Sequence, residues 1–412
     1  MRILIAGQTF YKKNNGQAVF TIHLAEGLAQ AGHDIIIVIP SEYGRAYRKR
    51  YKGLTIQTVP TLPFNDNVNV TAFSKNIVKR TIAEFRPDII HIQDHYFLSR
   101  AVLQVAQAYN ILQVGTNHFL PDNLTYNFRI PRWAMKPIHR LMWNNMLEVF
   151  NTLHAVTTPT ETAARILQQQ QIQTPVQPIS CGVNQNRFKA RPETDRAEVR
   201  LRYGLDPHKK LFLYVGRVDR EKGLDVLIRA ISSLNRYDVQ LAIVGQGSYL
   251  HTLQTLKQRL SLQQQVIFTG FVPGEDLPLL LNSADIFVMP SGAELQSIAT
   301  LEAMSSGLPV LAANARALPE LVDHNLNGYL FELGSVTEAA RGIATLADNQ
   351  EQWARMGAVS LLKALPHSLS NTVQRYANLY QNLQTYPNMV RARPTKTTIS
   401  KGRRVIYDFE KM

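Results

Sequence analysis

Short apolar runs alternate with longer stretches of helical spacing along most of this chain. Ile3 to Ala6, Ile35 to Ile39, Ile89 to Ile92 and Leu112 to Thr116 are such runs, and the spacing between the first two predicts a helix from about Gly16 to Ala31. The repetition predicts βα units around a parallel sheet. After Pro178-Ile-Ser-Cys-Gly182 the chain becomes looser and charged through Arg191, Glu193, Asp195 and Arg196. A second series follows: Leu211 to Val215, Gln240 to Val244, Val266 to Thr269, Ile286 to Met289 and Val310 to Ala312. The pattern therefore predicts an α/β protein of two doubly wound domains, residues 1–190 and 191–370, with the boundary near 185 to 205. Such a pair places a cleft at the carboxyl ends of both sheets. Val373, Tyr376, Leu379, Tyr380 and Leu383 give a last helix over 371–385. Residues 386–412, with Pro387 and Pro394, lack periodicity and read as a flexible basic tail.

Composition agrees with two domains, since 412 residues at 45% hydrophobic content exceed one ordinary core. A single cysteine, Cys181, rules out an internal disulfide framework and suits a reducing cytoplasm. Met1 to Gly7 is too short an apolar run for a signal peptide, and no run approaches the ~20 apolar residues of a membrane span. The net charge of +14 is unevenly spread. Residues 1–190 carry 20 Lys and Arg against 10 Asp and Glu, residues 191–385 carry 18 against 19, and the tail 7 against 2. Two clusters stand out. Arg45, Arg48, Lys49, Arg50 and Lys52 interleave with Tyr47 and Tyr51; Arg129, Arg132, Lys136 and Arg140 lie among Phe128, Trp133 and Trp143. Each alone fits a solvated face, but together they suggest docking on an anionic membrane surface or nucleic acid.

Two carboxylates eight positions apart, Glu294 and Glu302, lie behind Met289-Pro290-Ser291-Gly292. On one continuous helix they would stand about 80° apart. Pro290 and Gly292 mark a turn, and Ile298, Leu301 and Met304 have the spacing of a buried helix face. The helix is therefore predicted to start near Ser297, with Glu294 in the entry loop. The amides of Leu295, Gln296 and Ser297 are then donors for sugar hydroxyls or an anion, and Glu302 is an acceptor for a vicinal diol such as ribose. Two surface acids on a solvated helix start would read the same way. Gly216-Arg-Val-Asp-Arg-Glu-Lys-Gly223 directly follows a predicted strand, so Arg217 and Lys222 are placed to clamp a diphosphate. Here the bland alternative is an ordinary charged loop. Gly245-Gln-Gly247 lacks the rest of a dinucleotide fingerprint and reads as a turn, and no GxxxxGK[ST] loop occurs.

Pro178-Ile-Ser-Cys-Gly-Val-Asn184, Gly216-Arg217 to Lys222-Gly223, Phe268-Thr-Gly-Phe-Val272 and Glu294 to Glu302 occur in an order that resembles the family 4 retaining glycosyltransferases of the GT-B fold. The resemblance covers about residues 1 to 385. It implies two Rossmann-like domains, a last helix crossing back to the first, and a nucleotide-sugar donor held mainly by the second. By the same resemblance Gly216 opens the donor loop, Arg217 and Lys222 neutralise the diphosphate, and Glu302 holds the ribose. The Phe271-Val272 backbone meets the base, and Glu294 with the amides of Leu295, Gln296 and Ser297 holds the sugar. Gly16 resembles the phosphate-facing glycine loop, and His118 matches a histidine near the transferred sugar. Asn15 stands where a second glycine is common, and Asn184 where Asp is frequent.

Cations and helix N-termini aimed at the leaving diphosphate lower the barrier to breaking a glycosyl-phosphate bond. No DxD-like acidic pair is evident, so no metal or other cofactor is expected. No carboxylate is a compelling nucleophile, and the resemblance implies front-face attack with retention. Ala293-Glu-Leu-Gln-Ser-Ile298 resembles the diacylglycerol glucosyltransferase branch. The expectation is hexose transfer from UDP-glucose to a membrane lipid by a cytoplasmic enzyme peripheral to the membrane's inner face. A soluble sugar or metabolite acceptor is the alternative. A nucleic-acid-binding role with a vestigial sugar site is the rival of another class, and no nucleic-acid module supports it.

Overall fold

The structure, a computed structural model, describes residues 1–8, 10, 16–65, 68–71, 74–121 and 132–386. Two open sheets carry the fold, each flanked by helices. The first runs in the order Val176–Pro178, Ala155–Thr158, Leu112–Thr116, Ile89–Ile92, Arg2–Ala6, Asp34–Pro40, Leu54–Val59, Arg48–Tyr51. All its pairings are parallel except the last, at the Arg48–Tyr51 edge. The second is parallel throughout, in the order Val266–Gly270, Val239–Val244, Lys210–Val215, Ile286–Met289, Val310–Ala313, Gly328–Phe331. Ile3, Leu4, Ile5 and Ala6, and likewise Leu211 to Tyr214, are wholly buried, as strands covered by helices on both faces require.

Each sheet reverses its strand order once. In the first sheet the reversal lies at Arg2–Ala6, between Ile89–Ile92 and Asp34–Pro40; in the second it lies between Lys210–Val215 and Ile286–Met289. Connections leaving such neighbours diverge to opposite faces and open a crevice at the carboxyl ends. The segments leaving the reversal strands are the Gly7 and Gln93 turns in the first domain and the loops starting at Gly216 and Pro290 in the second.

The last helix, Leu369–Thr385, is capped by Ser368, whose hydroxyl accepts the Asn371 N–H at 3.2 Å. Val373, Tyr376, Leu379, Tyr380 and Leu383 are buried in the first domain's core beside Ile3, Phe20 and Leu24, not against the second sheet from which the chain arrives. Gly27 permits this contact, since a Cβ there would lie 2.3 Å from Val373 Cγ2. A second tie is polar. Tyr376 shares its hydroxyl with Thr157 (2.9 Å) and Thr116 (3.1 Å), while His91 Nδ1 lies 2.7 Å from the Tyr380 hydroxyl and His91 Nε2 2.7 Å from Thr116 Oγ1. Among the described residues no helix is long and apolar enough to cross a membrane.

Candidate active site

The Glu294 loop starts where Ile286–Met289 ends, and the helix Ile298–Ser305 begins at Ser297, whose hydroxyl accepts the Thr300 N–H at 3.2 Å. The predicted helix start and the position of Glu294 outside it both agree with the structure. Amides of Leu295, Gln296 and Ser297 donate to none of the described residues. On the neighbouring strand's exit, Arg220–Lys222 forms one 3-10 turn. Gly223 then takes φ +64°, and a Cβ there would lie 2.7 Å from the Pro290 carbonyl, so glycine lets the two loops touch. The outcome is an ion pair of 2.7 Å between Lys222 Nζ and Glu294 Oε1, with both side chains largely buried.

Across the cleft, Gly16 is the first residue of the helix Gly16–Gln30. A Cβ on it would lie 3.9 Å from Ile298 Cδ1, so the N-termini of helices from the two domains meet, the second being the helix that the Glu294 loop enters. Both present the positive end of a helix dipole, which favours an anion between them. One turn on, Phe20 packs against His118 with ring centroids 4.8 Å apart. His118 Nε2 lies 3.1 Å from Gln93 Oε1, which makes Nε2 the protonated nitrogen and leaves Nδ1 as an acceptor. Removal from water pushes His118 down to about 3, so the imidazole is neutral at physiological pH.

Glu302 sits one turn inside its helix, only partly accessible, and its carboxylate accepts no hydrogen bond from the described residues. Loss of hydration pushes its carboxyl up to about 7, and the positive charge of Arg187 partly offsets this. Val272 follows the strand Val266–Gly270; its side chain is buried, and its peptide N–H and C=O bond to none of the described residues. A buried carboxylate and an unpaired peptide are the equipment for a diol and a heterocyclic edge.

Several expectations need correction. Arg217 is not a free cation: its guanidinium pairs with Asp219 and Glu221 from its own loop. Alternation of sign in Arg217-Val-Asp-Arg-Glu-Lys222 was the signal for this, and a diphosphate must compete with both acids. Gly216 directly follows its strand as predicted, and while the expected donors at Leu295 and Gln296 are their amides, their side chains turn to the first domain. Leu295 joins the first domain's apolar core, and its carbonyl accepts the Thr160 hydroxyl at 2.9 Å. Gln296 Oε1 accepts the Cys181 N–H at 2.7 Å and the Ser180 hydroxyl at 3.1 Å. Trp143, expected at an interface, is a buried core residue. Asn15, Phe128, Arg129 and the tail from 387 lie outside the described residues.

Sequence reasoning missed Asp94. Its carboxylate accepts the Gln8 N–H at 2.5 Å, the Gln17 amide at 3.3 Å and the Ser99 hydroxyl at 2.8 Å, tying together the segments on either side of the first-domain glycine loop. Burial raises its carboxyl above the ordinary aspartate value. Nothing in the spacing of Asp94 marks it out, because Gln8 and Gln17, the partners that make it a tie across the loop, are 86 and 77 residues away.

The signature of the family described as Glycosyltransferase Family 4 matches residues 14–187, and that of Glycosyl transferases group 1 matches residues 195–360. Sulfoquinovosyl transferase SQD2 of Arabidopsis thaliana is 28% identical over 340 residues, covering 79% of this chain and 62% of its own length. Thus the chain spans less than two thirds of that plant relative. Alpha-monoglucosyldiacylglycerol synthase of Streptococcus pneumoniae is 24% identical over 337 residues, covering 80% of this chain and 75% of its own. Among solved structures, sucrose-phosphate synthase from Thermosynechococcus elongatus superposes with a TM-score of 0.78 at 19% identity, over 93% of this chain and 100% of the other. The Anabaena HepE protein in complex with UDP-glucose does so with a TM-score of 0.74 at 19% identity and the same coverage. With two signatures covering both halves and the fold shared throughout, the chain belongs to the family 4, group 1 glycosyltransferases of the GT-B fold and is a glycosyltransferase.

Proposed function

We propose that this enzyme transfers a hexose from UDP-glucose to a membrane lipid such as diacylglycerol, with retention at the sugar carbon. The observation that carries the donor half is the meeting of two helix N-termini, at Gly16 and Ile298, with the Lys222–Glu294 pair in the loop that enters the second. Negative charge develops on the departing diphosphate, and positive helix ends and a cation beside it would lower the barrier. Lys222 and the free amides of Leu295 to Ser297 would hold the phosphates, with Arg217 joining once it leaves its acids. Glu294, fixed by Lys222, would accept from the sugar hydroxyls, and Glu302 from the ribose. His118 Nδ1 would accept a hydrogen bond from the transferred sugar. Glu294 is engaged by a cation and lies with the phosphate-binding groups, which suits sugar positioning better than nucleophilic attack. Front-face attack, in which the leaving phosphate oxygen takes the acceptor proton, follows from that reading. Charge neutralisation by Lys222 and Arg217 supports turnover without a divalent ion.

The lipid half rests on two helices. Arg100, in the helix Phe97–Ala108, donates to the Asn145 carbonyl at 2.8 Å and so lies against the helix Arg132–Phe150. Their outer surface exposes Trp133 (81%), Leu141 (68%) and Phe97 (63%) with Lys136 and Arg140, a mixture suited to an anionic interface. The 45–52 cluster contributes less than expected, since Arg48 pairs with Glu84 and Lys52 with Glu26, each at 3.0 Å. Relatives named for sulfoquinovosyl transfer and monoglucosyldiacylglycerol synthesis support the same acceptor class.

The test combines a panel of nucleotide-sugars with lipid extract or soluble sugars, with and without a chelator, read by nucleoside diphosphate release. UDP release from UDP-glucose that rises with lipid and survives chelation is expected. Stimulation by a soluble sugar alone would move the acceptor to that class, and no release from any donor would overturn the reading. Flotation with anionic vesicles should fall severalfold in Trp133→Ser/Leu141→Ser and in moderate salt.

A further inference from the structure

Gln93 directly follows the strand Ile89–Ile92 and is buried. Its peptide holds two neighbours: the N–H donates to the Ala6 carbonyl at 2.8 Å, and the carbonyl accepts the side-chain amide of Gln17, in the first turn of the helix Gly16–Gln30, at 2.9 Å. Gly7 leaves the room for this, since a Cβ there would lie 3.0 Å from Gln93 Cβ. The side chain reaches a third element, with Oε1 3.1 Å from His118 Nε2, and Phe20 of the Gly16 helix packs on the same imidazole. The other end of the amide, Nε2, is buried without a hydrogen-bond partner among the described residues. A primary amide kept from water with one end unpaired is costly, so packing alone would favour an apolar side chain of the same length. The side-chain contact that offsets this cost is the one to His118.

Resting on the proposed place of His118 at the transferred sugar, we propose that Gln93 is a positioning residue that sets which nitrogen of His118 carries the proton and holds the ring in register with the Gly16 helix. An imidazole with no partner on either nitrogen is free to exchange tautomers and to turn about its bond to Cβ. An acceptor fixed at Nε2 puts the proton there and leaves Nδ1 with a lone pair. A sugar hydroxyl can donate to that lone pair; with the proton on Nδ1 it would meet a second donor instead. The Gln93 carbonyl holds Gln17, and Phe20 stands further along the same helix, so one residue fixes the spacing between the imidazole and that helix's N-terminus. Asp94, next in the chain, reinforces the tie by accepting from Gln8 and Gln17. Sugar acceptor and anion-facing helix are thereby aligned from one short segment.

The experiment is nitrogen NMR of the full-length protein carrying isotope-labelled histidine, in wild type, Gln93→Met and Gln17→Met, with His118→Gln to assign the resonances. Nucleoside diphosphate release from UDP-glucose with lipid extract is measured on the same samples. Methionine at 93 keeps the volume and removes the acceptor, whereas Gln17→Met cuts the tie to the helix and spares the amide–imidazole contact. Wild-type His118 is expected as a neutral ring protonated at Nε2. Gln93→Met should lose that preference, with kcat lower by about tenfold, the equivalent of one hydrogen bond, and donor KM within about twofold. Gln17→Met should keep the tautomer. A wild-type ring protonated at Nδ1 would overturn the proposal without recourse to any variant. So would an unchanged tautomer in Gln93→Met, which would leave Gln93 as a support for the fold, or an intact kcat there despite a changed tautomer. Wild-type turnover by His118→Gln would instead sink the reading that puts His118 at the sugar.

Discussion

Lys222 and Glu294 are each other's only hydrogen-bonded charge partner among the described residues, so removing either leaves a partly buried charge unpaired. Lys222→Ala is expected to lower turnover by about 10²–10³-fold, roughly 3–4 kcal/mol of barrier, because in its proposed role a cation at the leaving diphosphate is lost. Nucleoside diphosphate release at saturating donor, with circular dichroism as a folding control, checks this; turnover within a factor of three of wild type would remove Lys222 from the phosphate site. Glu302 makes a pH prediction. Its folded carboxyl titrates at about 7, above the ordinary 4.5, so the charged form is disfavoured by the fold. Stability is therefore lost as pH rises from the unfolded pKa through 7, and Glu302→Gln should raise the melting temperature at pH 8 but hardly at pH 4. In the proposed role of Glu302 as acceptor for the ribose, UDP affinity should weaken more steeply between pH 8 and 6 in the wild type than in the Gln variant, whose remaining dependence is that of the UDP phosphate. At this scale the sequence was legible where partners are near in the chain, as with the Ser297 cap. The pairing of Arg217 was not legible there, because whether its guanidinium faces a ligand or Asp219 and Glu221 depends on the turn between them.

Helices and strands were legible from periodicity, since covered strands and amphipathic helices impose local patterns. The final helix illustrates the limit. Its buried positions follow from the spacing of Val373, Tyr376, Leu379, Tyr380 and Leu383, but the partners of its two hydroxyls do not. Tyr376 meets Thr116 and Thr157, and Tyr380 meets His91, across 219 to 289 residues. Tyr376→Phe leaves both threonine hydroxyls with each other but without the phenol, and should cost about 1–2 kcal/mol in urea unfolding. Tyr380→Phe should cost a similar amount by leaving His91 Nδ1 unpaired. Burial holds His91 near pKa 3, so neither loss should vary between pH 6 and 8. An unchanged midpoint in both variants would show that the network only orients the helix.

Over the whole molecule, the residues between the two acids form part of the closure between domains. Leu295 enters the first domain's core, Gln296 holds Ser180 and Cys181, and Glu320 accepts the N–H groups of Glu161 and Thr162 at 3.3 and 2.6 Å. The last contact puts a carboxylate on a helix N-terminus, where the dipole strengthens it. Glu320→Ala with Gln296→Ala is expected to open the cleft, seen as a larger radius of gyration by small-angle scattering, while each core stays folded. Unaltered scattering, with and without donor, would sink the closure role. The loop proposed to position the sugar would thus sense closure directly, which would tie donor grip to the approach of the first domain.

The sequence by itself determined the two series of strands, the helix starting after Glu294, and an ordered set of motifs sufficient to name the family. Those features are set by side-chain period, turn residues and capping, which act within a few positions. Tertiary structure alone decided that Glu294 binds Lys222, that Gln296 and Glu320 serve the domain interface, and that Arg187 reaches the Gly274 carbonyl. Each depends on where two chain-distant segments arrive when the sheets close, and a geometry shared between domains leaves no period in either one.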